Sequence, residues 1–187
     1  MSNFIIIAIT KPELVDDEAA KITRLLDNGV DFVHIRKPGS SIREVKDLIE
    51  EIPYRLRRHL KLHGHFELLN DFNLGGAHVN SRCPEAPATA ASVSKSCHSL
   101  DEIDLCKGMA YVTLSPVYDS ISKPGYRQAF KPESLTGKIE GKNVIALGGV
   151  TPSDIPELKR AGFAGCAMLG AVWEDIDRFI SLLKKNN

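Results

Sequence analysis

Two glycine turns near the end of the chain are the residues best suited to hold an anion. Ala146-Leu147-Gly148-Gly149-Val150 and Ala167-Met168-Leu169-Gly170-Ala171 each place glycine directly after a short apolar run. Glycine lets a turn expose its backbone N–H groups, and a helix beginning there adds unsatisfied donors and a positive dipole end. Gly148, Gly149, Leu169 and Gly170 are therefore expected to bind phosphate. A small phosphorylated molecule is the ligand class this implies.

Polar side chains collect at the ends of other candidate strands. His34 and Arg36 follow one, His63 and His65 another, and His78 a third; Ser96 and His98 come next, then Ser120, Ser122 and Lys123. Five of the six histidines fall at or just past such an end. Imidazole titrates near neutrality and suits proton transfer, while arginine can grip a second anionic group with two parallel hydrogen bonds. No two histidines have the i, i+4 spacing of a helical metal site and no carboxylates cluster with them, so no metal centre is expected.

The elements that must position these residues repeat one phrase: amphipathic helix, glycine, short apolar strand. Residues 17–28 place Ala19, Ile22, Leu25 and Leu26 on one face, close at Gly29 and lead into residues 31–36. Residues 152–161 do the same before Gly162 and Cys166–Leu169. Further helical stripes run through Ile42, Val45, Leu48, Ile49 and Ile52, and through Val172, Ile176, Phe179, Ile180 and Leu183. Candidate strands fall at 4–9, 31–36, 60–64, 76–79, 92–96, 110–114, 143–147 and 164–169. Eight strands alternating with helices predict a (β/α)8 barrel, whose chemistry sits at the C-terminal strand ends. The competing open sheet would need a G-x-G-x-x-G turn after its first strand, where Ala8-Ile9-Thr10-Lys11-Pro12 stands instead. The Pro- and Ala-rich stretch 80–91 is too broken for a full helix, so the barrel is expected to be trimmed there, and 118–132 reads as a long loop.

Composition narrows the partners. Residues 1–187 suffice for one well-buried core and are short for two, so a single domain is expected. With 24 basic and 24 acidic residues there is no general electrostatic grip on nucleic acid or on an anionic membrane. Phe4–Ile9 is too short to span a bilayer and has no basic leader before it, which predicts a cytoplasmic protein. Four cysteines without metal spacing predict free thiols. A homo-oligomer is compatible with all of this.

Five segments, 33–36, 96–102, 111–123, 146–152 and 161–170, resemble in order and spacing the thiamine-phosphate-synthase/TenI superfamily. The resemblance covers nearly the whole chain and implies a (β/α)8 TIM barrel, in agreement with the independent strand count. Thiamine phosphate synthases join a thiazole phosphate to hydroxymethylpyrimidine pyrophosphate, with Mg²⁺ held by carboxylates. Their Asn-Asp pair after strand three, counted back from His78, falls on His63 and Gly64. Asn70-Asp71 lies too close to His78 and reads as a surface pair. Their second aspartate has no counterpart in His78-Val79-Asn80-Ser81-Arg82-Cys83, and their Gln-x-Arg-x-Lys motif appears as His34-Ile35-Arg36-Lys37-Pro38.

These departures resemble the TenI branch, whose activity is aromatisation of a thiazole phosphate carboxylate by tautomerisation without a metal. The resemblance then implies His98 as the catalytic histidine, with His34 or His63 next in line. It also implies substrate contacts from His34, Arg36, His63, Ser96, Ser120, Ser122 and Lys123, the last three matching a Thr-x-Thr-Lys pattern. Ser96 and Ser99 are expected to fix the His98 tautomer. No cofactor is expected, Mg²⁺ entering only if the synthase reading holds. A non-catalytic binding protein that keeps the phosphate cup is the third reading.

Overall fold

A computed structural model describes residues 4–119 and 128–186. Its eight strands, β1 (Ile5–Ile9), β2 (Phe32–Ile35), β3 (Leu60–Leu62), β4 (Gly76–Val79), β5 (Val93–Cys97), β6 (Tyr111–Leu114), β7 (Val144–Leu147) and β8 (Gly165–Met168), pair in sequence order. All pairs are parallel, and β8 returns to β1 through Ile5↔Gly165 and Ala8↔Met168, closing the barrel. Every expected strand is present: β4 keeps its expected bounds, β5 is shifted by one residue, and the others are shortened by one or two.

The connecting helices are α1 (Glu18–Leu26), α2 (Ile42–Glu51), α3 (Tyr54–Arg57), α4 (Leu100–Leu105), α5 (Pro132–Leu135), α6 (Ile155–Arg160), α7 (Gly170–Glu174) and α8 (Ile176–Asn186). Ser41 starts α2 with a capping box, its hydroxyl taking the Glu44 N–H while the Glu44 carboxylate takes the Ser41 N–H. Val45, Leu48 and Ile49 then face the sheet. Only a short 3₁₀ turn, Phe66–Leu69, separates β3 from β4, and Asn70 and Asp71 follow it on the surface. No helix joins β4 to β5, which is the expected trimming. Of the expected 118–132 loop, residues 120–127 lie outside the described residues; beyond them the Gln128 side chain donates to the Val117 and Phe130 carbonyls, and α5 begins at Pro132.

Two cores result. Most apolar side chains fill the layer between strands and helices, from Ile6 and Val33 to Phe179 and Leu183. A smaller cluster of Ile7, Ile9, Tyr111, Ile145 and Ala167 lies inside the barrel. Side chains alternate across a strand, so the same parity that turns these inward also turns in His34, Lys61, His78, Ser94, Ser96 and Thr113. The interior is thus apolar along β7, β8 and β1 and polar from β2 to β6. Glycine is required where β4 approaches β5: a Cβ on Gly76, at φ +126°, would lie 2.0 Å from the Ser92 carbonyl oxygen.

Lys37 follows β2 without entering the site as a free cation. Its ammonium donates to Glu18 Oε1 at 2.6 Å and to the Lys11 and Glu13 carbonyls, tying the β1–α1 loop to β2. The two side chains are 1% and 2% exposed. All four cysteines are free. Among the described residues no helix is long and apolar enough to cross a membrane.

Removing one partner of a buried ion pair strands the other charge, at a cost of about 3–5 kcal/mol. Glu18→Ala is therefore expected to lower the unfolding free energy by about that amount, read as a reduced urea midpoint with the m-value unchanged. A loss below about 1 kcal/mol would show that water reaches Lys37.

Candidate active site

A cavity of about 560 Å³ opens at the C-terminal end of the barrel. Its wall brings together Arg36, His63, Ser96, His98, Gly148, Gly149, Leu169 and Gly170, all expected from sequence. Asn80, Arg82, Ser115 and Cys83 join them. Ser120, Ser122 and Lys123 lie outside the described residues. No aspartate or glutamate lines the cavity among the described residues.

His34 is corrected from substrate contact to support. It is 0% exposed and lies beneath the cavity floor, its Nδ1 sharing a 2.8 Å hydrogen bond with His63 Nε2 and its Nε2 a 2.6 Å bond with the Tyr111 hydroxyl. His78, 1% exposed, is held by Ser94 Oγ at Nδ1 and Ser96 Oγ at Nε2, both at 2.9 Å. The His63 and His78 rings stack with centroids 4.3 Å apart. Three imidazoles from adjacent strands thus meet inside the barrel, an assembly that a search for helical spacing does not detect.

Burial pushes His34 well below its ordinary range, helped by the neighbouring His78, His63 and Lys61. Burial does the same to His63, with His78 and Arg36 adding to it. His78 falls to about 3 through burial and the nearby Lys61 charge. Lys61, which donates to Ser92 Oγ at 2.7 Å below the Tyr111 ring, is itself lowered to about 8 by burial. A neutral imidazole is also the form that binds a metal ion, and His34, His63 and His78 form a group with the donor spacing such an ion uses. Their ligand nitrogens lie within 4.8 Å of one another, with Lys61 beside His34 and His78 and Arg36 beside His63.

His98 sits on the cavity rim, exposed. Its Nδ1 lies 3.2 Å from the Ser115 carbonyl and 3.4 Å from the Ser115 hydroxyl; in the tautomer that donates Nδ1–H to the nearer carbonyl, Nε2 is the basic nitrogen. The expectation that Ser96 and Ser99 fix this tautomer is corrected. Ser96 serves His78, and Ser99 caps α4 by accepting the Glu102 N–H at 3.1 Å. Glu102 returns the favour, its carboxylate taking the His98 N–H at 2.7 Å, so the helix start pins the backbone of His98.

Arg36 has no carboxylate partner among the described residues. Burial and the neighbouring Arg82 lower its pKa from the usual arginine value. Two guanidinium groups at one mouth without counter-charges favour an anionic ligand between them. The glycine turn has a cause of its own. At φ +95° and +68°, a Cβ on Gly148 would lie 2.8 Å from Pro116 Cα, and one on Gly149 2.2 Å from the Asp119 carbonyl oxygen. At the end of the adjacent strand β8, beside this turn, the first N–H groups of α7 lack intrahelical acceptors.

The buried histidines make stability pH-dependent. The unfolded chain binds protons near pH 6.5 that native His34, His63 and His78 refuse. Stability is therefore full above about pH 6.5 and falls as the pH drops through the window toward about 3, where native His78 titrates. Uptake of about three protons on unfolding corresponds to a slope of roughly 4 kcal/mol per pH unit between pH 6 and 5. Urea titrations across pH 5–7.5 test this, and a flat profile would contradict the neutral state of the cluster.

The chain from residue 6 to residue 172 matches the family model described as thiamine monophosphate synthase. The crystal structure of thiamine phosphate pyrophosphorylase from Bacteroides thetaiotaomicron superposes with a TM-score of 0.86 at 32% identity, covering 97% of this chain and 96% of that one. The thiamine-phosphate synthase of Lactococcus lactis is 21% identical over 190 residues, 92% of this chain and 88% of that protein. That of a Synechococcus strain is 26% identical over 188 residues, 90% of this chain and 51% of the longer relative. With the order of its strands, its mouth of glycine turns and arginines, and this match along most of its length, the chain belongs to the thiamine monophosphate synthase (TMP-TENI) family of thiamine biosynthesis.

Proposed function

We propose that the protein is a thiazole phosphate tautomerase, moving a proton on a thiazole phosphate carboxylate without a metal ion. One observation carries this reading: His98 presents a basic nitrogen at a cavity lined by arginine, histidine and serine and by no described carboxylate. Mg²⁺ bound to a pyrophosphate requires hard oxygen ligands, usually carboxylates. Gly64 and the Asn80–Cys83 segment offer none at the strand ends where the synthases carry them, so the described residues do not fit that ion. In this reading the phosphate rests on the N–H groups at Gly148, Gly149 and the Leu169–Gly170 start of α7, and Arg36 with Arg82 meets the carboxylate. His98 Nε2 takes the proton from the ligand, the Ser115 carbonyl stabilising the imidazolium through Nδ1–H.

The second reading is the coupling reaction of thiamine phosphate synthase, favoured by the names of the relatives and of the 32% identical structure. A single assay separates the two. The protein is incubated with the non-aromatic thiazole phosphate carboxylate tautomer, with and without hydroxymethylpyrimidine pyrophosphate and Mg²⁺. Aromatic thiazole phosphate carboxylate without Mg²⁺ supports the tautomerase, whereas thiamine phosphate formed only with Mg²⁺ overturns it.

Two further outcomes are expected. His98→Asn lowers kcat by about 10²–10⁴-fold with KM nearly unchanged, the range for losing a positioned proton-transfer group. An effect confined to KM would make His98 a binding residue. Crystals soaked in inorganic phosphate are expected to show the anion between the Gly148–Gly149 turn and Gly170, and an empty cup would remove the phosphate assignment.

A further inference from the structure

We propose that His34, His63 and His78 form a binding site for one divalent ion of the zinc class at the floor of the cavity, with a fourth coordination position open to the cavity. The inference goes beyond the tautomerase reading, whose proton transfer by His98 uses none of the three. The imidazoles come from consecutive strands: His34 from within β2, His63 from the residue after β3, and His78 from within β4. One ligand nitrogen of each lies within 4.8 Å of the other two. Nitrogens bound to one tetrahedral ion at about 2.0–2.1 Å stand about 3.3 Å apart. An ion would therefore widen the 2.8 Å contact between His34 Nδ1 and His63 Nε2 and draw His78 inward.

The groups behind the imidazoles are those a metal site uses. A histidine that holds a metal commonly passes its other ring N–H to an oxygen, which fixes the tautomer and aims the free lone pair. His34 has such a partner in the Tyr111 hydroxyl, 2.6 Å from Nε2. With Nε2–H donating there, the lone pair of Nδ1 points at His63 Nε2. Two nitrogens so placed need a proton or a cation between them. His78 has Ser94 Oγ at Nδ1 and Ser96 Oγ at Nε2, both at 2.9 Å, and a hydroxyl either donates or accepts, so one nitrogen can be freed for the ion while the other stays anchored. His63 stands on the cavity wall beyond the end of its strand. Its ring is the one with room to turn out of its stack on His78 and complete the set.

The donor set selects the ion. Imidazole suits zinc and its neighbours in the first transition row, whereas Mg²⁺ demands hard oxygen ligands that the described cavity wall does not supply as carboxylates. Three neutral nitrogens leave the ionic charge uncompensated, and Lys61 and Arg36 beside them add to it. The fourth ligand must then be anionic: a hydroxide, or a phosphate or carboxylate oxygen of a molecule in the cavity. Two observations mark where it would enter. Ser96, bonded to His78, also lines the cavity. Thr113 pairs in register with Ser96, and its buried Oγ1 is without a partner among the described residues. A buried hydroxyl of this kind calls for a further polar atom in the interior beside Ser96.

The test strips the protein with a chelator and titrates it with Zn²⁺ by calorimetry in the presence of excess Mg²⁺. One ion per chain is expected, not displaced by Mg²⁺. His63→Asn removes the cavity-wall ligand and is expected to weaken binding by more than about 100-fold. Tyr111→Phe, which keeps the ring and removes only the partner of His34, is expected to weaken it by about 10–100-fold, the range for losing a group that orients a metal ligand. His59→Asn, just before β3 at the other end of that strand, controls for surface histidines and leaves binding unchanged. Should a variant fail to fold, crystals of the wild-type protein soaked in Zn²⁺ decide, with anomalous density expected among the three imidazoles. No stoichiometric binding, displacement by Mg²⁺, unweakened binding in folded His63→Asn, or an ion held only at His59, His65 or His98 would each overturn the site. Failure of the metal-free protein to tautomerise the thiazole phosphate would instead overturn the proposed function and leave these measurements untouched.

Discussion

A barrel that turns polar side chains inward along five of its eight strands is stable only if those side chains satisfy one another. Here each buried imidazole finds a hydroxyl or a second imidazole, and each is compelled to stay neutral by its burial. An unpaired buried polar group costs about 1–3 kcal/mol, so a fold containing this many tolerates few mismatches. Register between strands is what delivers the matches. His78 stands opposite Ser94, and Ser94 opposite Tyr111, so one slip of β5 would orphan the whole set.

The division of the interior also divides labour. Apolar β7, β8 and β1 give a rigid wall behind the glycine turn and the start of α7, while the polar strands deliver every group able to exchange a proton. Permanent positive charge is kept at the mouth, on Arg36 and Arg82, where solvent screens it until a ligand displaces the water. Lys61 stays below the imidazoles, close enough to bias them against protonation without reaching the cavity wall.

Much of this was legible in the sequence. Most strands are short, largely apolar runs, and β5, Val93-Ser94-Lys95-Ser96-Cys97, stands out by its place between Ser92 and the start of α4 rather than by apolarity. Arg36, His63, Ser96, His98 and the glycines were legible because strand ends in this architecture face one cavity. The interior was not. Tyr111-Val112-Thr113-Leu114 reads as an ordinary buried strand, and nothing local says that Tyr111 meets a histidine 77 positions earlier. His34 looked like a ligand contact because a strand end and the layer beneath it differ by only two residues. The hydrogen bond at His98 Nδ1 comes from the Ser115 carbonyl just past β6, which no neighbouring residue announces.

Gly148 and Gly149 carry a different lesson. Their missing Cβ atoms are demanded by Pro116, Tyr118 and Asp119 of the same chain, whether or not an anion ever visits the turn. A descendant that lost its chemistry would still be selected to keep both glycines, because its fold would fail without them. The pair is thus a marker of ancestry, and divergence of activity within this lineage is to be read from the imidazoles, hydroxyls and carboxylates around the cavity.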